Sequence, residues 1–212
     1  MHSGRFVSFG YEPATSTSNT GRSMNNEETT AASAPVATHK PRIYVASLSD
    51  YNAGKLLGRW IDAGQEADAI HAEIQTMLAE SREYPAEEWA IHDYEGFGQW
   101  KPREYESIET VATVAGLIAE HGEVFAALLS HFGGDLDDAR ERIEDGGRGC
   151  WRSVREFAEE FIGDIYAQEI NRLPEFIRYA IDYDQIGRDM EMGGDIFTIE
   201  LDGMIHVFDS TI

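Results

Sequence analysis

The spacing of the apolar side chains after residue 42 constrains the fold most, because it changes along the chain. In the first part, apolar and polar side chains alternate as in strands, on both sides of one short helix. In the next part, apolar side chains recur every three or four residues, and apolar-polar alternation returns before residue 208. Alternation buries one face of a strand, whereas steps of three and four bury one stripe of a helix. This order predicts an α+β fold with an α+β section, a helical section and a second α+β section.

The first section, residues 42–103, combines predicted strands with one helix. "RIYVASL" and "LLGRWID" predict a hairpin around the turn-like "SDYNAG", and "EEWAIHDY" predicts a further short strand. Between them, residues 65–80 repeat apolar side chains on one helical face. These elements predict a small α+β domain.

The middle section, residues 104–147, predicts a helical bundle with a thin core. Ser107 is a plausible N-cap, and Gly122 divides the helical pattern in two. A short polar helix follows in "DLDDARERIED", with Asp135 as its N-cap and Gly146-Gly147 as its end.

The third section, residues 148–212, opens with a helix and ends in a hairpin. Ser153 followed by Glu156 fits a capping box at the start of the helix. Pro174 predicts the start of another helix, and Asp202-Gly203 predicts the tip of a C-terminal hairpin. The buried stripe of the opening helix is predicted to be Val154, Phe157, Ala158, Phe161, Ile162 and Ile165.

Residues 1–41 differ in composition from the rest of the chain. Ten of the 25 residues from Ala14 to Thr38 are Ser or Thr, and few are large and apolar. Such a segment has too little apolar surface to form a core. We therefore expect a disordered tail.

The acidic charge lies in the part after the tail. Residues 1–42 hold three of the 39 acids and four of the 17 bases, so residues 43–212 carry 36 acids against 13 bases, a charge of −23. Such a chain repels nucleic acid and anionic membranes, and attracts basic proteins or cationic ligands. No run is long enough to span a bilayer, and a single cysteine fits a reducing cytoplasm.

No catalytic or metal-binding motif emerges from the sequence. His92 and Asp93 are neighbours on a predicted strand, where alternation sends them to opposite faces. Cys150 lies between Arg148 and Arg152, which would lower a thiol pKa, although a partly buried structural cysteine is the commoner case. The glycine groups "GFG" and "GGRG" match no phosphate loop, and "DLDD" lacks the glycine and final Glu of a calcium loop. We therefore expect a protein that is not an enzyme and that has no cofactor and no metal.

Carboxylates gather on the polar faces of the helices in the second half of the chain. One interpretation is a solvated surface kept for solubility. The other is an imitation of DNA phosphates, since duplex DNA carries about one charge per 1.7 Å and a −23 fold matches roughly 39 Å of it. The candidate partner-binding carboxylates are Glu120, Glu123, Asp135, Asp137, Asp138, Glu141, Glu144, Asp145, Glu156, Glu159, Glu160, Asp164, Asp182, Asp184 and Asp189.

Particular stretches resemble one family. "IYVASLSDYNAGKLLGRWID", "EEWAIHDYEGF" and the C-terminal "LPEFIRYAIDYDQIGRDME" are similar to the antirestriction protein ArdA family, which plasmids and conjugative transposons carry. The resemblance covers roughly residues 42–209, and the N-terminal tail departs from the family pattern.

The resemblance implies an elongated chain of three small domains, 42–103, 104–147 and 148–212, that dimerises through the last. It implies a mimic of bent B-form DNA that blocks type I restriction-modification enzymes without catalysis. The segment 174–184 resembles one associated with antirestriction activity, and Phe176, Ile177 and Tyr179 are candidates for the dimer interface or for a structural role.

Two other functions remain open on the sequence. An acidic adaptor or regulator would bind another basic, nucleic-acid-binding protein, and DNA would not displace it competitively. An enzyme hidden in the first domain would instead lose activity on one precise substitution.

Overall fold

The computed structural model describes residues 40–211, so the predicted N-terminal tail lies outside the described residues. Helices and two three-stranded antiparallel sheets confirm the α+β class. The strands are β1 (Arg42–Ser47), β2 (Gly58–Asp62), β3 (Trp89–Glu95), β4 (Gly147–Trp151), β5 (Ile196–Leu201) and β6 (Met204–Asp209). The helices are α1 (Leu48–Asn52), α2 (Ala67–Ala79), α3 (Ile108–His121), α4 (Glu123–His131), α5 (Leu136–Asp145), α6 (Val154–Ile165), α7 (Ala167–Arg172), α8 (Glu175–Arg178) and α9 (Tyr183–Gly193).

The first sheet has the order β2-β1-β3, with β1 antiparallel to both neighbours. The predicted hairpin is confirmed, but "SDYNAG" contains the short helix α1 rather than a simple turn. A bulge between Tyr44 and Val45 leaves His92 without a partner on β1, so His92 and Asp93 are both exposed. The expectation that these two side chains point to opposite faces stays a prediction.

The larger core continues from the first section into the helical section. It is formed by one face of the first sheet, by α2, and by the apolar faces of α3 and α4. Ile43, Ile74, Val111 and Phe125 have essentially no exposed surface. Ala139 of α5 and Phe208 of β6 also reach this core. The boundaries of the three proposed domains stay predictions.

The second sheet has the order β4-β6-β5, so the C-terminal hairpin is joined by a strand that the sequence did not predict. β4 contains two glycines and has no apolar alternation, and only Trp151 in it is half-buried. A register shift lies between Gly147 and Gly149.

The core beside this sheet is small. It consists of Phe157, Ile196 and Val207, with half-buried side chains around them. The predicted stripe of α6 is therefore buried only in part: Phe157 and Ala158 are buried, whereas Ile165 is 55% exposed. The stripe was predicted as wholly buried, and this was wrong for Ile165 because the small core ends before the last turn of α6.

Helix α9 packs against α6 at a point of close approach. A Cβ at Gly187 would lie 2.7 Å from Val154 Cγ1 and 3.0 Å from the Val154 carbonyl oxygen, so only glycine fits there. None of the helices within residues 40–211 is long and apolar enough to cross a membrane.

Candidate functional site

The structure gives no sign of a reactive thiol. Cys150 Sγ lies 3.8 Å from His206 Nε2, and desolvation raises the pKa of the Cys150 thiol. Burial likewise lowers the pKa of His206, so both groups are neutral near pH 7. Cys150 was expected to be partly buried, but it is exposed because it lies on the edge strand β4. Among residues 40–211, no three His, Cys, Asp or Glu side chains are grouped to hold a metal ion.

The candidate carboxylates are exposed, apart from the half-buried Glu123. They occupy α3, α4, α5, α6 and α9, or the N-cap positions of α5 and α9. Their exposure follows from the helical pattern, since each helix turns its apolar side chains toward a core and its acids toward solvent.

Helix α5 carries the densest run of acids. The Asp135 carboxylate caps the helix by accepting from the backbone N–H groups of Asp137 and Asp138, each at 3.2 Å. Asp137 and Asp138 lie in the first turn, where the helix dipole favours negative charge. Ala139 is buried and Leu136 and Ile143 pack against the larger core, so only the face of α5 that carries the acids is available to a partner.

Acids from two helices surround Arg140. Arg140 Nε donates to Glu144 Oε1 at 2.9 Å, and the Arg140 pKa is raised mainly by Glu144, with smaller contributions from Asp137 and Glu120. The structure thus brings the end of α3 and the exposed face of α5 together. A single exposed Arg partly offsets the charge of this group.

A groove beside this group contains acids that the sequence analysis did not select. It is lined by Glu66, Glu109 and Glu120, together with Arg140. His71 Nε2 lies 3.2 Å from Glu109 Oε1, and hydrogen bonds from the Glu109 backbone and from His71 lower the Glu109 pKa. Glu66 and Glu109 lie outside the dense acidic runs of the sequence, so only the packing of α2 against α3 reveals them.

A second group of acids lies on α6 and α9. Arg155 Nη2 lies 3.8 Å from Glu159, and Arg155 Nε lies 3.4 Å from Asp184 across the helix pair. Trp151 Nε1 donates to Glu160 Oε2 at 3.0 Å. Within the described residues, no hydrogen bond or ion pair joins this group to the acids of α5.

Several candidate carboxylates also have structural roles. Asp182 caps α9 by accepting from the Gln185 N–H at 2.9 Å. Ser153 Oγ accepts from the Glu156 N–H at 3.2 Å, which confirms the Ser153 half of the predicted capping box. The Glu156 carboxylate accepts from the Arg152 N–H at 2.8 Å instead of from the Ser153 N–H. By contrast, six candidates have side chains without a hydrogen bond or ion pair inside residues 40–211: Glu123, Asp137, Asp138, Glu141, Asp145 and Asp164.

The segment after α6 exposes an unusual amount of apolar surface. Helices α7 and α8 bury no residue. Phe176 is 73% exposed, Ile177 39% and Tyr179 82%. Ile165 and Met192 add further exposed apolar area nearby in the sequence. Apolar side chains concentrated in one segment in this way are typical of an interface.

Comparison with known protein families identifies most of this chain. A family model described as "Antirestriction protein (ArdA)" matches residues 43–205. None of the curated proteins compared with the chain matches it. The matched range contains every candidate carboxylate and the exposed apolar segment.

Proposed function

We propose that this chain, which belongs to the ArdA family of antirestriction proteins, inhibits type I restriction-modification enzymes by occupying their DNA-binding channel. The family consists of inhibitor proteins rather than enzymes, and its name points to a restriction-modification enzyme as the partner. On this proposal the inhibitor needs no cofactor, acts in the cytoplasm and consumes no substrate, so one inhibitor is required for each channel.

The observation that carries the proposal is the arrangement of acids around α3, α5 and the neighbouring groove. Glu120, Asp137 and Glu144 act together on Arg140, and Glu66 and Glu109 line the groove beside them. These side chains come from separate parts of the sequence but form one negative surface. A basic channel that binds phosphates along a duplex would be attracted to it.

Distributed charge also explains how the inhibitor would compete with DNA. Binding of acids to Lys and Arg in the channel releases the same kind of counterions that DNA phosphates release, and salt weakens both. Each exposed carboxylate contributes little by itself, because charges at the surface are screened.

We further propose that the chain acts as a homodimer formed through its C-terminal section. The small core of Phe157, Ile196 and Val207 leaves Phe176 and Tyr179 exposed, and a second copy would bury them. A dimer would double the length of the acidic surface, from the equivalent of roughly 39 Å of duplex to roughly twice that.

A titration of DNA cleavage tests the proposed function. A type I restriction-modification enzyme at fixed concentration is mixed with increasing amounts of the protein before target DNA and ATP are added. Loss of cleavage that is complete near one inhibitor dimer per DNA-binding channel supports the proposal. Undiminished cleavage by several such enzymes at a large molar excess contradicts it and favours an acidic adaptor that binds another basic protein.

A further inference from the structure

A single arginine joins the acidic helix α5 to the C-terminal hairpin. Arg142 Nη1 donates to the Asp209 backbone carbonyl at 2.6 Å. The Arg142 guanidinium carbon lies 5.8 Å from the ring centroid of Phe132 and 5.9 Å from that of Phe197, within the range of cation–π attraction. These contacts reach the end of α4, strand β5 and the end of strand β6.

The rings beneath the guanidinium form a continuous cluster. Phe197 packs edge-on against Phe132 at 5.8 Å and stacks on Phe208 at 5.3 Å. His131 stacks on Phe197 with a centroid distance of 4.7 Å and an interplanar angle of 7°. Stacked and edge-on pairs are the preferred arrangements of aromatic rings, so these contacts favour one relative orientation of α4 and the hairpin.

Asp209, the hydrogen-bond partner of Arg142, is itself fixed from two directions. Its backbone N–H donates to the Gly146 carbonyl at 2.9 Å, just after α5. Its carboxylate accepts from Arg148 Nε at 2.8 Å and from Arg148 Nη2 at 2.5 Å. Arg142 therefore binds an anchored point on the hairpin.

The position of the Arg142 guanidinium is unfavourable for stability. Its Nε is buried and finds no hydrogen-bond partner among the described residues. A buried donor without a partner is unfavourable, and an exposed arginine would avoid this loss. Retaining a charged side chain in this place is more readily explained by the geometry that it imposes than by stability alone.

We propose that Arg142 is a positioning residue that sets the acids of α5 at a fixed distance and angle from those of α6 and α9. This inference rests on the proposed function, since the spacing of the acids affects inhibition only if they bind a channel whose basic groups are spaced for DNA. A rigid array of acids would bind the channel more tightly, because the conformational entropy of the acidic helices is lost on folding rather than on binding.

Arg103 provides a control for Arg142 outside the acidic surface. It lies before α3, is exposed and carries one positive charge. Arg103→Met and Arg142→Met therefore make the same change in net charge. If charge alone determines inhibition, both variants inhibit at least as well as the wild type. If Arg142 positions α5, Arg142→Met inhibits more weakly by between about twofold and thirtyfold, whereas Arg103→Met does not.

Inhibition is measured in the cleavage titration at a temperature where circular dichroism shows each variant to be folded. Arg142→Lys is the second variant, since it keeps the charge and the aliphatic stem but loses the planar group over the rings. Weaker inhibition by both Arg142 variants is expected. Equal inhibition by Arg142→Met and Arg103→Met, with an active wild type, overturns this inference alone. Absence of inhibition by the wild type overturns the proposed function, and this inference with it.

A distance measurement separates positioning from general loss of stability. Spin labels are placed at Glu141→Cys on α5 and Glu159→Cys on α6, in a chain carrying Cys150→Ser. In the Arg142→Met background we expect a broader or shifted distance distribution, whereas Arg103→Met leaves it unchanged. An unchanged distribution with Arg142→Met contradicts the positioning role.

Discussion

At the scale of single residues, the acidic side chains of this protein have different roles. Asp50 is only 4% exposed, and its carboxylate accepts from Ser47 Oγ at 2.7 Å and from Ser81 Oγ at 2.5 Å. These hydrogen bonds lower the Asp50 pKa, with Lys55 adding a smaller electrostatic contribution. Asp50 thus ties the start of α1 to the end of α2, and it supports the fold rather than the acidic surface.

Replacing Asp50 tests this assignment through its dependence on pH. Because the folded-state pKa lies below the ordinary value of 3.8, the charged form stabilises the fold above about pH 4, and this contribution is lost as the pH falls through the folded pKa. Asp50→Asn should lower the Tm by at least a few degrees at pH 7, and the difference from wild type should shrink below pH 4. Glu87→Gln, an exposed control, should leave the Tm unchanged. A difference that stays constant from pH 7 to pH 3 would show that the Asp50 charge is not responsible.

The residues that the sequence predicted best are those whose role is local. Ser107, Asp135 and Ser153 were predicted as N-caps, and each accepts a hydrogen bond from a backbone N–H two or three residues later. Glu66 and Glu109 were missed because their place beside the groove depends on how α2 and α3 pack.

At the scale of elements, the pair α6–α9 holds the C-terminal section together. The two helices touch where Gly187 faces Val154, and Arg155 joins their acidic faces through Glu159 and Asp184. This contact compensates in part for the small core beside the second sheet.

Two glycine substitutions test the importance of this contact. Gly187→Ala places a Cβ 2.7 Å from Val154 Cγ1 and 3.0 Å from backbone, so it should destabilise the fold by about 1–3 kcal/mol. Gly163→Ala on α6 meets no atom within 4 Å and should be neutral or stabilise the fold by about 0.5–1 kcal/mol. Urea unfolding gives both values. Equal effects of the two substitutions would exclude close α6–α9 packing.

The elements that the sequence did not predict are those defined by distant partners. Strand β4 has no apolar alternation, and its identity comes from pairing with β6, more than 50 residues later. Helix α9 places Tyr183, Ile186 and Met190 at steps of three and four residues, but the sequence analysis predicted one helix from Pro174 and did not identify α9 as a separate element. By contrast, α3 has a strong apolar stripe between Ser107 and Gly122, and it was predicted with both ends.

At the scale of the whole molecule, the acids of α5 and the groove are distinct from the exposed apolar segment around α8. The acids of α5 and the groove lie near the larger core, whereas Phe176 and Tyr179 extend from the section with the smaller one. On the proposed function, the first surface binds the target and the second binds another copy of the chain.

Removal of exposed rings tests the second role. On the proposed dimerisation, Phe176→Ser with Tyr179→Ser should give a monomer, because the apolar area that a second copy would bury is lost. Tyr84→Ser with Tyr105→Ser removes two rings that are 98% and 69% exposed in the first part of the chain, and it should leave the dimer intact. Multi-angle light scattering reports the molar mass. A dimer that survives the first pair of changes would place the interface elsewhere.

Neutralising acids tests the first role. Asp137, Asp138, Glu141 and Asp145 have side chains without a partner among the described residues, so each single change to Asn or Gln should alter inhibition by less than about twofold. All four changes together should weaken inhibition by at least about tenfold, because the charge of the array is summed. A large loss from one single change would contradict a distributed surface.

The central claim is that this protein and DNA compete for the same channel, and displacement of bound DNA tests it most directly. Labelled target DNA is bound to a type I restriction-modification enzyme, and the protein is added at two salt concentrations while fluorescence anisotropy reports the bound fraction. The account predicts stoichiometric release of DNA that weakens at the higher salt concentration. Inhibition of cleavage with the DNA still bound would show that the protein acts at another site.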